Sequence, residues 1–264
     1  MDKTQIKEMV RARYGAIADR AEASCCAPSP SSCCSPETTD GSRDEARRMG
    51  YSEAELAAVP EGVNLGLGCG NPQAIAALQP DETVVDLGSG GGFDCFLAAW
   101  QVGSTGHVIG VDMTHEMLKK ARDNAAGIGA RNVEFRLGEL EHLPIADNTA
   151  DLVISNCVIN LVPDKAQVFR EAFRVLKSGG RLAVSDVINI VPLPAELRAD
   201  PALLCGCVAG AAPAERIEAW LSEAGFVDAR VTPNFESRKI VESWASGRGI
   251  ENYIASAMVE ARKP

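Results

Sequence analysis

Three cysteines of this chain stand where a thiolate could do chemistry. Cys69 lies between glycines in GLGCGNP, Cys157 follows the apolar run DLVISN, and Cys207 sits in LLCGCVAGA. Three thiolates brought to one point suit a soft, thiophilic centre. Nine cysteines among 264 residues is a high count. In a chain without a secretory signature, thiols are more often catalytic or metal-binding than disulfide-forming. The opening MDKTQIKEMVRARYG has no apolar h-region, so no secretory signal and a cytoplasmic location are expected.

The other six cysteines divide in two. Cys25, Cys26, Cys33 and Cys34 fall in the Ser/Pro-rich stretch 24–44, whose composition reads as a linker. Their vicinal spacing differs from the C-x₂₋₄-C of a zinc module. Cys95 and Cys205 read as packing residues, because free cysteine is often a small core hydrophobe.

A second constellation begins at Asp86-Leu87-Gly88-Ser89-Gly90-Gly91-Gly92. A glycine-rich turn between a strand and a helix lets backbone N–H groups approach a ligand closely. Asp112, at the end of the next strand, can accept both ribose hydroxyls of a nucleoside. A dinucleotide turn needs a third glycine where this chain has Phe93. Asp86 would repel a pyrophosphate but attract the amino group of S-adenosylmethionine. Further along, Glu139, Leu140 and Glu141 precede His142, and an acid there can accept from an adenine amine. Met113 can pack on the adenine, and Asn156 can hold the methionine part. Asp94 reads as a helix-start carboxylate or a donor contact.

Positioning these groups requires alternating strands and helices. Apolar runs at 83–87, 107–112, 132–137, 151–156 and 180–187 read as strands. Helical patterns fall at 92–102, 114–127 and 164–177, the last closed by Lys177-Ser178-Gly179-Gly180. The alternation implies a parallel sheet with helices on both faces. Residues 2–23 form an amphipathic helix, and Ser52 with Glu55 builds a capping box for a short one. After an insert at 190–212, a helix at 213–224 precedes late strands at 228–233 and 253–264. The ends of the strands then bring the Gly turn, Asp112, Asn156 and Cys157 to one edge. Cys69 and Cys207 join them if their loops fold back.

The charge balance is 26 basic against 36 acidic residues, a net −10, which argues against nucleic acid and anionic membranes as partners. The histidines, His107, His115 and His142, offer no obvious general base. A chemistry that needs no base is therefore favoured. Trivalent arsenic fits: it takes three sulfur ligands and keeps a lone pair that can attack a sulfonium methyl.

Residues from Val84 to about Val187 resemble the class I S-adenosylmethionine-dependent methyltransferases, through VVDLGSGGG, GVDMT, GELEHLP and FRVLKSGGRL in order. That resemblance implies a Rossmann-like α/β fold, a seven-stranded sheet whose last strand inserts antiparallel. SNCVINLVPDK, LGCGNP and GCVAGA narrow it: the chain resembles the arsenite S-adenosylmethionine methyltransferases, in their short bacterial form. The resemblance carries Cys69, Cys157 and Cys207 over as arsenic ligands and implies arsenite and methylarsenite as substrates. A thiol reductant, thioredoxin or glutathione, is implied as partner. A further N-terminal cysteine of that family would fall among Cys25, Cys26, Cys33 and Cys34, with Cys33 and Cys34 as added arsenic-contact candidates. The expected organisation is an N-terminal helix and Cys-rich linker (1–60), a donor-binding domain (61–187), and an arsenic-binding insert with closing strands (188–264), in a monomer. Two alternatives share these motifs: a quinone- or sterol-type C- or O-methyltransferase, and a non-enzymatic thiol protein that binds metalloids.

Overall fold

The computed structural model describes residues 1–23, 37–60 and 62–264. Helices α1 (Lys3–Ala23), α2 (Glu37–Arg48), α3 (Glu53–Ala58) and α4 (Gln73–Ala76) precede the sheet. The alternating region runs β1 (Thr83–Leu87), α5 (Phe93–Val102), β2 (His107–Asp112), α6 (His115–Ile128), β3 (Val133–Leu137), β4 (Ala150–Asn156), α7 (Lys165–Val175) and β5 (Leu176–Asn189). Then come α8 (Ala195–Arg198), α9 (Pro201–Cys205), β6 (Ala212–Pro213), α10 (Ala214–Ala224), β7 (Val227–Asn234), α11 (Arg238–Trp244) and β8 (Ile254–Arg262).

The sheet order is β3-β2-β1-β4-β5-β8-β7, with the two-residue β6 beside β5. Strands β1 to β5 are parallel, and β8 runs antiparallel between β5 and β7. The expected seven strands with an inserted antiparallel one are present, and β6 makes an eighth. Chain direction across the sheet reverses at β1, which lies between β2 and β4. A ligand crevice belongs outside the carboxyl ends of these strands.

Period-two alternation fixes which side chains face which helices. Val85 and Leu87 point to one layer, with Val168, Phe169 and Val175 of α7 and Leu221 of α10. Val84 points to the other, with Phe96 and Val102 of α5 and Leu118 of α6. Each such fully buried side chain stabilises the fold by about 1.5–3 kcal/mol. The sheet is thereby clamped from both faces, and its strand ends are a rigid rim.

The structure corrects two expectations. The stretch read as a linker over 24–44 contains helix α2 from Glu37 onward. Its sequence is polar, so no apolar stripe announces it; the anchoring contacts come from Ala46 and, just beyond, Met49 and Tyr51, packed with Leu56 and Leu97. The four cysteines of that stretch lie outside the described residues. The second correction concerns Lys177-Ser178-Gly179-Gly180, which belongs to β5 and does not terminate a helix. Helix α7 ends at Val175, and Gly179 at φ +79° lets the strand continue. Its N–H donates to the Lys263 carbonyl at 2.9 Å. Among the described residues, no helix is long and apolar enough to cross a membrane.

Candidate active site

A cleft opens at the point of strand reversal. The turn after β1 forms its floor. Gly88 has φ +77°, and a Cβ there would lie 2.5 Å from Val158 Cγ2, so no side chain fits. Asp112 braces the turn: its Oδ2 accepts from Gly90 N at 3.0 Å and its Oδ1 from Thr114 N at 2.8 Å. Ser89 Oγ is buried without a hydrogen-bond partner. A buried orphan hydroxyl lining a cleft is a group that a ligand can satisfy.

Two buried carboxylates face the same space. Asp86 is 2% exposed and Asp94 7%. Burial first, and the charge of Asp94 second, push the Asp86 carboxyl up to about 8. Burial likewise raises Asp94, against hydrogen bonds from Tyr51 OH at 2.8 Å, Asn156 Nδ2 at 3.2 Å and Gln73 Nε2 at 3.3 Å. Cys95, expected only to pack, donates its thiol to Asp86 Oδ2 at 3.2 Å. Such a pair favours a ligand that brings positive charge.

Met113, Leu140, Glu141 and Asn156 also line the cleft, whereas Glu139 does not. Lys7 of α1 pairs with Glu139 at 2.6 Å and with Glu141 at 3.0 Å, and Arg11 pairs with Glu139 at 3.4 Å. These bonds draw Glu139 toward α1. The helix closes the cleft from above, contributing Lys7, Val10 and Tyr14 to its wall.

The thiols gather beside this cleft. The Cys69 loop presses against the strand ends because glycines flank it. A Cβ on Gly68 would lie 2.9 Å from Asn156 Nδ2, and one on Gly70 would lie 2.2 Å from Ser185 Oγ. Cys69 N donates to Asn156 Oδ1 at 3.1 Å. Asn156 therefore ties the donor-side network to the Cys69 loop. Cys157 leaves β4 with φ +57°, and its N–H donates to the Ser185 carbonyl at 2.8 Å. Cys207, two residues past the end of α9, has φ +62°. Its Sγ donates to the Cys157 carbonyl at 2.9 Å. Cys69 Sγ, Cys157 Sγ and a carboxylate oxygen of Asp186 all lie within 4.8 Å of one another.

The environment favours the protonated form of the Cys157 and Cys207 thiols. Hydrogen bonds with Cys207 and Cys69, then burial, hold the Cys157 thiol well above its ordinary value. At Cys207 the bond with Cys157 pulls downward, but burial and the nearby Asp186 charge outweigh it. Val10, Leu161, Val187, Leu203 and Val208 pack around the group and keep it dry. Cys157 alone of the three also lines the cleft. Cys205 is buried at the end of α9, where its carbonyl accepts from Tyr14 OH at 3.3 Å.

A family model described as a methyltransferase domain matches residues 78–225. An arsenite methyltransferase of Halobacterium salinarum is 51% identical over 268 aligned residues, covering 100% of this chain and 68% of the relative. The chain belongs to the arsenite methyltransferase family. An arsenite methyltransferase of Aquipseudomonas alcaligenes is 44% identical over 171 residues, 62% of this chain. The aligned part spans about half, 49%, of that relative. Among solved structures, an arsenic(III) S-adenosylmethionine methyltransferase of Chlamydomonas reinhardtii superimposes with a TM-score of 0.66 at 36% identity, covering 80% of this chain and 72% of that one.

Several residues of this arsenite methyltransferase family member escaped the sequence reading. Asp186 had a signal, a lone charge inside the run LAVSDVINI. A charge in a buried strand needs partners, and here Asn160 Nδ2 donates to it at 2.8 Å and Val187 N at 2.7 Å. Tyr51 and Gln73 had none, since only the folded chain brings them to Asp94.

Proposed function

We propose that this chain is an arsenite methyltransferase that moves methyl groups from S-adenosylmethionine to trivalent arsenic held by Cys69, Cys157 and Cys207, a route to arsenic detoxification. One observation carries the reading: Cys157 belongs both to the thiol group and to the wall of the donor cleft.

S-adenosylmethionine, when bound, supplies an electrophilic methyl group on a sulfonium. The cleft fits it by chemistry. Asp112 has carboxylate lone pairs for the ribose hydroxyls, and Ser89 Oγ needs a partner. Asp86, beside Asp94, complements the ammonium group, and Asn156 steadies that end. Met113 and Leu140 offer apolar contact to the adenine, with Glu141 as an acceptor.

On the acceptor side, arsenous acid and three thiols condense with loss of three waters. The protons of the thiols leave in that water, so high thiol pKa values do not prevent ligation. Arsenic retains a lone pair, which forms the new As–C bond as the methyl–sulfur bond breaks. No proton has to be abstracted, and no histidine lines the cleft among the described residues. The thiol group holds arsenic next to the donor, and positioning supplies much of the rate. Methylation raises arsenic formally to the pentavalent state. Return to trivalent arsenic consumes two electrons from thiols, and a thioredoxin- or glutathione-type reductant restores them. Methylarsenite then re-enters as substrate.

The test is direct. The reduced chain is incubated with arsenite, a dithiol and labelled donor. Labelled methylarsenical is expected, and Cys157→Ser should abolish it while leaving donor affinity within about threefold, one lost contact being worth little. Absence of product from the unmodified chain, or undiminished product from the variant, overturns the assignment.

A further inference from the structure

The carboxylate of Asp186 lies within 4.8 Å of the Cys69 and Cys157 sulfurs. All three residues are buried. Asn160 N at 3.2 Å, Asn160 Nδ2 at 2.8 Å and Val187 N at 2.7 Å fix that carboxylate in place. Lys165 acts electrostatically on both Asp186 and Cys207. Cys207 Sγ donates to the Cys157 carbonyl at 2.9 Å, which places it beside the same group.

We infer that Cys69, Cys157 and Asp186, with Cys207 as fourth ligand, form a binding site for a soft divalent cation, zinc above all.

The donor set decides the class of ion. Sulfur and carboxylate oxygen together suit zinc, whereas magnesium and calcium require oxygen throughout. Tetrahedral zinc with bonds of about 2.3 Å to sulfur and about 2.0–2.2 Å to oxygen places ligand atoms about 3.5–3.8 Å apart. The separations among Cys69, Cys157 and Asp186, all within 4.8 Å, are compatible with that spacing. Binding replaces the thiol protons, which pass to solvent, and no bond is oxidised. The hydrogen bonds on Asp186 supply the outer support that metal-binding carboxylates need. Lys165 offsets part of the negative charge of a thiolate-rich complex.

Zinc and arsenic then differ in one ligand. Trivalent arsenic is satisfied by three sulfurs, and zinc also takes the oxygen of Asp186. The two share the thiols, so they exclude each other; this exclusion, unlike the site itself, rests on the arsenite reading. Zinc is thereby an inhibitor competitive with arsenite, and Asp186 is the residue that separates the two affinities.

The experiment titrates the reduced full chain with Zn2+ against a chromogenic chelator, before and after saturation with arsenite. Cysteines of the N-terminal stretch can take zinc as well, so the readout is the difference between the unmodified chain and Asp186→Asn. The expected result is one equivalent weakened at least about 10- to 100-fold in the variant. Arsenite and S-adenosylmethionine affinities should stay within about threefold, because Asp186 ligates neither. Equal zinc binding by both proteins overturns the inference. An unchanged zinc count after arsenite saturation overturns the exclusion between the two ions. If Asp186→Asn no longer binds the donor, Cys69→Ser decides in its place: one equivalent lost supports the site, and an unchanged count overturns it. The zinc titration involves no methyl transfer, so a failure of arsenite methylation leaves its outcome readable.

Discussion

Cys207 reaches across 50 residues of sequence to Cys157, its thiol donating to the Cys157 carbonyl at 2.9 Å. Both residues sit in the left-handed region, at φ 62° and 57°. Such conformations cost a non-glycine residue about 1–3 kcal/mol each. The surrounding structure holds them there: Cys157 N is tied to Ser185, and the apolar shell packs on both sides. Two strained turns thus aim sulfur into one dry pocket at the mouth of the donor cleft.

Replacing Asp112 by Asn should cripple donor binding. The amide would point N–H toward Gly90 N or Thr114 N, where a carboxylate now accepts from both. Calorimetric affinity for S-adenosylmethionine should fall about 10- to 100-fold, the size of a lost charge-assisted hydrogen bond. An unchanged affinity contradicts the role given to Asp112.

Ser89→Ala should separate stability from binding. Its buried hydroxyl has no partner, so the ligand-free protein should melt at the same temperature or higher. Donor affinity should fall by about three- to tenfold, the range of one neutral hydrogen bond. Loss of stability without loss of affinity points to a purely structural serine.

The pH dependence of stability follows from Asp86. Its folded pKa, about 8, lies above the ordinary 3.8 because of burial and the charge of Asp94. Between those values the folded state binds the extra proton, so this group makes stability fall as pH rises. Asp186, raised to about 6, contributes only to the lower part of that window. From about pH 6 to 8 the melting temperature of the donor-free protein should therefore decline, and Asp86→Asn should flatten the decline. Saturating donor should flatten it too, by pairing the carboxylate. Parallel curves for the variant and the unmodified chain exclude Asp86 as the source.

Lys7→Met should loosen the cover over the cleft. It leaves Glu141, whose side chain is 7% exposed, without the partner at 3.0 Å. Stability should drop by about 1–3 kcal/mol, the cost of an unsatisfied buried charge. Hydrogen exchange in α1 should quicken, and KM for the donor should rise more than kcat falls. Adding Glu141→Gln should recover part of the loss; no recovery places the effect elsewhere.

Much of this architecture was legible because its signals are local. Apolar runs of strand length, the glycine turn and an acid at the end of β2 mark the sheet and its crevice without reference to distant residues. The cysteines were legible as candidates, since thiols at strand ends and between glycines have few uses. What stayed hidden depends on tertiary contact. Helix α2 is polar, and its anchoring apolar contacts lie at its end. The pairing of Glu139 with Lys7 and Arg11 of α1 has no local signal in the sequence. Gly179 looked like a helix stop, but its bond to the Lys263 carbonyl, just past β8, continues the strand through it.

The most direct test of the thiol assignment is the arsenic X-ray absorption spectrum of the arsenite-loaded chain, with Cys25, Cys26, Cys33 and Cys34 changed to Ser. Three sulfurs around arsenic are predicted, falling to two when any one of Cys69, Cys157 or Cys207 is also replaced by Ser. Arsenic that binds with fewer than three sulfurs, or keeps three after Cys157 is replaced, contradicts the assignment.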